Sequence, residues 1–179
     1  MSELLSAVTR TVIADRHMFG IAVEASFDPS RVPPPVPPPI PFRFSWFGAS
    51  EYEILIGVEQ ELVDPQVRFE LWDGDPPVLQ EEPDVQGQFV LHISEGKLAF
   101  DQITAGGEPD VFNVPPGQYY LRLSGYGRTE TARQAAELWR RYSEDDEFED
   151  DQDPAYLAAL RQLEGREHYL AQLWPALRS

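Results

Sequence analysis

Two stretches of the chain alternate apolar and polar residues with a period of two, and that pattern constrains the fold most. Phe89, Leu91 and Ile93 interleave with Val90 and His92, while Tyr119, Leu121 and Leu123 interleave with Tyr120, Arg122 and Ser124. The second run follows the turn Pro115-Pro116-Gly117. Successive side chains of a strand point to opposite faces, so this is the signature of half-buried antiparallel strands with one face on a core. Tyr52, Ile54, Ile56 and Val58 alternate with Glu53, Leu55 and Gly57, and Val67, Phe69 and Leu71 with Arg68, Glu70 and Trp72. Thr11–Ala14 and Met18–Val23 read as two short strands, Asp73-Gly74-Asp75-Pro76-Pro77 as a strand-ending turn, and residues 86–101 as strands paired about a hairpin tip at Glu95-Gly96.

Turn signals at this spacing predict a mainly β fold, an antiparallel β-sandwich of about seven or eight strands. Its core is expected from Phe89, Leu91, Ile93, Tyr119, Leu121, Leu123, Ile54, Ile56, Phe69 and Leu71. A length of 179 residues suits a single domain spanning 1–179.

Past Arg128 the period changes. Ala132, Ala135, Ala136, Trp139 and Tyr142 share a helical stripe, and Asp153-Pro154 is a capped start for a second helix carrying Tyr156, Leu160 and Leu163, ended by Gly165. The closing EHYLAQLWP reads as a final strand, which makes residues 129–165 a two-helix insertion near the C-terminus. Between the helices, residues 143–153 read SEDDEFEDDQD, eight carboxylates relieved only by Phe148. Like charges at that density resist compaction and predict a solvated acidic loop.

Residues 31–41 form a proline-rich arm, for which polyproline II is the available conformation. Arg31, Pro34 and Pro37 satisfy the spacing of an SH3 ligand, but composition favours a stiff connector or an arm lying along the domain. Phe42-Arg43-Phe44-Ser45-Trp46-Phe47 is too aromatic for a free linker and is expected to pack.

The charge of −17 repels phosphate backbones, which argues against direct nucleic-acid binding and for a basic partner. There are no cysteines, so thiolate catalysis and Cys-type zinc sites are excluded. The first residues lack the basic-then-apolar pattern of a signal peptide and no stretch is long enough to span a bilayer, so the expected location is cytoplasmic.

Catalytic constellations are missing. His17, His92 and His168 are scattered, there is no G-x-S-x-G elbow, and the glycines at 106–107 and 125–127 match no phosphate-binding fingerprint. The chain is therefore read as a non-enzyme with no metal and no cofactor. Asp73 and Asp75, with Trp72, form a second candidate surface, and oxygen-rich loops at a sandwich end can take calcium.

The acidic run is the sharpest candidate. Glu144, Asp145, Asp146, Glu147, Glu149, Asp150, Asp151 and Asp153 present charge at a density like that of a phosphate backbone, and Phe148 offers an apolar anchor. A protein that holds nucleic acid in a basic groove attracts such a segment, with salt-sensitive association.

QFVLHISEGKLAF, VFNVPPGQYYLRLSGYGR and EHYLAQLWPA resemble a pattern in bacterial, largely actinobacterial, β-sandwich proteins similar to competence protein J, an inhibitor of a DNA-entry nuclease, and to immunity proteins that neutralise toxin nucleases. The resemblance covers about half the chain, from Gln86 onward without the helical pair. It implies a sandwich and a non-enzymatic inhibitor or immunity protein for a nuclease, but carries no inhibitory residue over by position. Two other readings stay open: a scaffolding module using the proline arm, and a calcium- or sugar-binding sandwich using Asp73 and Asp75.

Overall fold

Strand formation follows the alternation, and the chain order then decides which strands become neighbours. The computed structural model describes residues 2–28, 30, 37–41, 45–143 and 153–176. Its strands are β1 (Leu4–Thr11), β2 (Met18–Val23), β3 (Phe47–Ala49), β4 (Glu53–Gly57), β5 (Gln66–Trp72), β6 (Val85–Ile93), β7 (Lys97–Asp101), β8 (Gly107–Asn113), β9 (Gly117–Tyr126) and β10 (His168–Pro175). Helices α1 (Arg128–Tyr142) and α2 (Pro154–Arg161) fall between β9 and β10. One sheet runs β1-β5-β10-β9-β6 and the other β3-β4-β2-β7-β8. The architecture is mainly β, two sheets with helices late in the chain, as the alternation predicts.

Between the sheets lies a single large core. All ten residues expected to line it are buried, joined by Phe19, Ile21, Val67, Phe100, Tyr169 and Leu173 among others. Aromatic rings interlock across it: Phe19 meets Tyr169 edge-on at 5.4 Å and Phe69 stacks on Phe112 at 5.4 Å. Such contacts add to area burial, which dominates the stability of a two-layer fold.

Three expectations change. Among the described residues there are ten strands, because the edges β3 and β8 carry too few alternating apolar residues to announce themselves. The first strand is Leu4–Thr11, not Thr11–Ala14; Val12 and Ala14 are buried in the connection that follows it. Glu95-Gly96 is not a hairpin tip. β6 pairs with β9 in one sheet and β7 with β2 and β8 in the other, so the chain crosses between layers there, held by the Val114 N–H donating to the Gly96 carbonyl at 2.8 Å.

The closing strand behaves as expected and goes further. β10 lies in the middle of its sheet, antiparallel to β9 with His168 opposite Tyr126, and parallel to β5 with His168 opposite Gln66. The helical pair is thus inserted into what would otherwise be a β9–β10 hairpin. A small second core of Val63, Ala135 and Leu163, with Leu138 and Leu160 packed against it, fastens the pair to the sandwich. No helix among the described residues is long and apolar enough to cross a membrane.

Candidate protein-binding surfaces

Helix α1 ends at Tyr142 and α2 begins at Pro154, so the two helices bracket the acidic run. Residues 144–152, which hold Glu144, Asp145, Asp146, Glu147, Phe148, Glu149, Asp150 and Asp151, lie outside the described residues. Asp153 is described, and its carboxylate already has work: Oδ1 accepts from Ala155 N at 2.8 Å and Tyr156 N at 2.9 Å, capping α2 as the sequence predicts.

The same pole of the sandwich carries an open groove of about 430 Å³ between the 58–65 connection and α1. A buried network shapes it. Glu167 accepts from Tyr169 Oη at 2.9 Å and from Gln60 Nε2 at 2.9 Å, while Gln60 Oε1 accepts from Leu62 N and Val63 N. Burial pushes the Glu167 carboxyl up; the Gln60 and Tyr169 hydrogen bonds and the Arg128 charge offset part of that. With Val63 drawn into the second core, Leu62 turns outward and is 41 % exposed. Ala132, Ala136 and Trp139 of α1 face it, with Glu59, Glu61 and His17 on the rim. Trp139 is also 41 % exposed, although its ring meets Tyr156 edge-on at 6.2 Å. The helical stripe read from sequence therefore serves two purposes: Ala135 packs into the second core at the floor of the groove, and Ala132, Ala136 and Trp139 border it.

The outer face of the β1-β5-β10-β9-β6 sheet holds a second polar network. Glu70, Gln172 and Arg122 lie on one rung across β5, β10 and β9. Gln172 Nε2 donates to Glu70 Oε2 at 2.9 Å, and Arg122 Nε and Nη2 donate to Gln172 Oε1 at 2.9 and 2.7 Å. Arg68 Nε and Trp72 Nε1 complete the shell around Glu70 at 2.9 and 3.0 Å. Burial raises the Glu70 carboxyl, but the hydrogen bonds from Gln172, Arg68 and Trp72 and the Arg68 charge together bring it below its ordinary value. The network continues outward, since Arg122 Nη2 also donates to the Pro77 carbonyl at 2.7 Å.

Pro77 belongs to residues 73–84, which carry the chain from the end of β5 back to the start of β6. β5 and β6 run in the same direction, so this connection must cross the outer face over β10 and β9. Both its ends are tied. Glu3 N donates to Asp73 Oδ1 at 2.7 Å and Ser2 Oγ to the Asp75 carbonyl at 2.6 Å; at the far end Arg128 N donates to Asp84 Oδ2 at 2.8 Å. Trp72, Asp73 and Asp75 thus form the root of this strap, and the indole N–H of Trp72 and one oxygen of Asp73 are engaged in holding it. Beyond the two prolines, Val78 is 90 % exposed. Its sequence signal was an apolar residue placed between a proline pair and an acidic stretch.

The other sheet's outer face brings two carboxylates together across β2. Glu53 of β4 and Asp101 of β7 approach over Gly20, where a Cβ would sit 2.6 Å from Glu53 Oε1 and 3.0 Å from Asp101 Cβ. Glu53 Oε1 is buried with no donor among the described residues. Burial first, then the Asp101 charge and a hydrogen bond with Asp101, raise Glu53 to about 7. Nothing in the local sequence signals this pair, because the two residues meet only through sheet register. Among the described residues no group of three or more His, Asp or Glu side chains gathers in a way that could hold a metal ion.

Of the proline arm, Arg31 and Pro34 lie outside the described residues. Its described part runs along β3 and β4: Pro38 is buried, and the Pro39 carbonyl stands where a Cβ on Gly48 would be, 1.6 Å away. Of the aromatic run, Phe42, Arg43 and Phe44 lie outside the described residues; Trp46 packs, with Phe47 at 5.1 Å and the Arg128 guanidinium 5.8 Å from its ring.

No protein-family model matches the chain, and no curated protein matches it in sequence. In three dimensions it is similar to ComJ, inhibitor of the DNA degrading activity of NucA, from Bacillus subtilis, with a TM-score of 0.54 at 10 % identity, covering 98 % of this chain and 99 % of that one. It is also similar to the product of crocagin biosynthetic gene J, with a TM-score of 0.50 at 13 % identity over 99 % of both chains. At those identities the likeness shows that this chain shares the ComJ fold, end to end.

Proposed function

We propose that the protein is a non-enzymatic inhibitor that neutralises a basic protein partner, a nuclease or nuclease toxin, in the manner of an immunity protein. The observation that carries this reading is the helical pole: an apolar groove of Leu62, Ala136 and Trp139, rimmed by Glu59 and Glu61, beside the helices that bracket Glu144–Asp153. A nucleic-acid enzyme keeps a positive groove for phosphates. An acidic segment competes for that groove, with the long-range field of a −17 chain speeding encounter. The apolar floor supplies what charge alone does not, a desolvated anchor that slows dissociation. The likeness to ComJ supports the class of partner, and the bacterial cytoplasm is the compartment this reading assigns.

The test starts from the purified chain as bait in a lysate of its native host. The reading expects a basic protein to be captured and its DNA-degrading activity to fall as bait is added. Replacing the eight acids of 144–153 by Ser and Asn should then weaken that binding at least tenfold at low salt and flatten its salt dependence. A captured nuclease that stays fully active with excess bait would sink the inhibitor role. Unchanged affinity after the replacement would move the contact elsewhere.

A further inference from the structure

A crossover between parallel strands needs only to cover the face it passes over, and the 73–84 strap does more. Its length carries Asp73, Asp75, Glu81, Glu82 and Asp84 and no Lys or Arg. Proline at 76, 77 and 83 limits its unfolded conformations, so less entropy is lost when it is held in one shape. The inter-strand network of Glu70, Gln172 and Arg122 ends on one acceptor in the strap, the Pro77 carbonyl. The next residue, Val78, is 90 % exposed, whereas Leu79 turns half inward. A polar ladder rooted in the buried pair Glu70–Gln172 thus reaches the backbone just before an apolar side chain held out in water.

A braced convex tip fits a concave partner. We propose that residues 73–84 are a preorganised docking loop that inserts Val78 into an apolar recess whose rim carries Lys or Arg side chains. The rim follows from charge: carboxylates at 75, 81 and 82 flank the tip, so a neutral or acidic recess leaves them desolvated without partners, and a basic one pairs them. This rests on the basic-partner reading but uses a different face of the molecule from the helical pole. Two contacts on one partner would act together, the acidic segment setting the rate of encounter and the strap the rate of release.

Photocrosslinking in the full-length chain separates the possibilities. A benzophenone amino acid is placed at position 78, and as a control at position 92, where the exposed His92 lies on the same sheet's outer face. The native-host lysate is the probe, and the crosslinked peptide is sequenced. The expected result is a crosslink from 78 and not from 92, to an apolar segment with neighbouring Lys or Arg. Against that purified protein, Val78→Ser should bind about tenfold less tightly, the value of burying one such side chain. Joint Glu81→Gln and Glu82→Gln substitution should cost a few-fold more at low salt than at high. Val78→Ser leaves the unfolding midpoint unchanged, because its side chain is already in water, so lost affinity is not lost folding. A partner captured without a crosslink at 78, or bound equally by Val78→Ser, overturns the docking loop while leaving the basic-partner reading intact. Capture of no protein by wild type overturns both.

Discussion

Glu70 and Glu53 each stand on the outer face of a sheet, the first buried and the second partly so, and their surroundings drive them in opposite directions. Glu70 is met by Gln172, Arg68 and Trp72 and sits below its ordinary pKa despite burial. The buried Oε1 of Glu53 finds no donor among the described residues, and with burial and the acid at Asp101 the group is raised to about 7. One sheet thus carries a fixed anion and the other a group that titrates near neutrality. Donor count decides which. The anionic site anchors the network that holds the strap; the other can be relieved simply by taking up a proton.

The largest effect should come from removing the anion. Glu70→Ala leaves Gln172 Nε2 and Trp72 Nε1 without an acceptor under the strap, a loss of about 2–3 kcal/mol. For a chain of this size that lowers the thermal midpoint by about 5–10 °C. Because the folded pKa of Glu70 lies below its unfolded value, its contribution is present above pH 4.5 and is lost as pH falls through the folded value. The variant should therefore lose little further stability below pH 4.5, where wild type loses Glu70's share. A midpoint unchanged at pH 7 would mean that the donors find other partners and that the strap does not depend on them.

Glu53→Gln should act with the opposite sign and a smaller size. A raised carboxyl binds more protons folded than unfolded between pH 4.5 and about 7, so its contribution to stability falls as pH rises through that window. Glutamine imitates the protonated form and can donate to Asp101. It should match wild type at pH 5 and exceed it by about 1 kcal/mol at pH 8, a figure kept low because part of the pair is open to solvent. Equal denaturation curves at pH 8 would show that the two carboxylates do not repel in the folded chain.

Both environments lay beyond reach of the sequence, and the reason is the same. A period of two assigns side chains to faces, which is why Phe89, Leu91, Ile93, Tyr119, Leu121 and Leu123 were legible as core. It does not say which strand lies next door. Glu70 and Gln172 meet across 102 residues, and Glu53 meets Asp101 through register over Gly20. The same blindness made Glu95-Gly96 look like a hairpin when β6 and β7 belong to different layers. Turn residues at 73–77 showed that β5 ends there; only the parallel relation of β5 and β6 turns the segment after it into a strap over the sheet. Charge density, by contrast, is a property of composition, so the acidic run was visible at once, whereas the groove beside it needed Gln60 and Glu167 to turn Leu62 outward.

Asp153 supplies a third and milder case of the same rule, an exposed carboxylate with two backbone donors. Replacing it with alanine removes the cap of an eight-residue helix that is too short to persist without packing. Water can reach those N–H groups, so the cost should be about 1 kcal/mol, below that at Glu70. Amide exchange should locate the change, with faster exchange at Ala155 and Tyr156 and little at α1. Asn at the same position keeps the acceptor without the charge. If Asp153→Asn restores protection but still weakens partner binding at low salt, the residue contributes to the acidic field beyond its cap; if it restores both, the cap is its whole contribution and the field belongs to the residues before it.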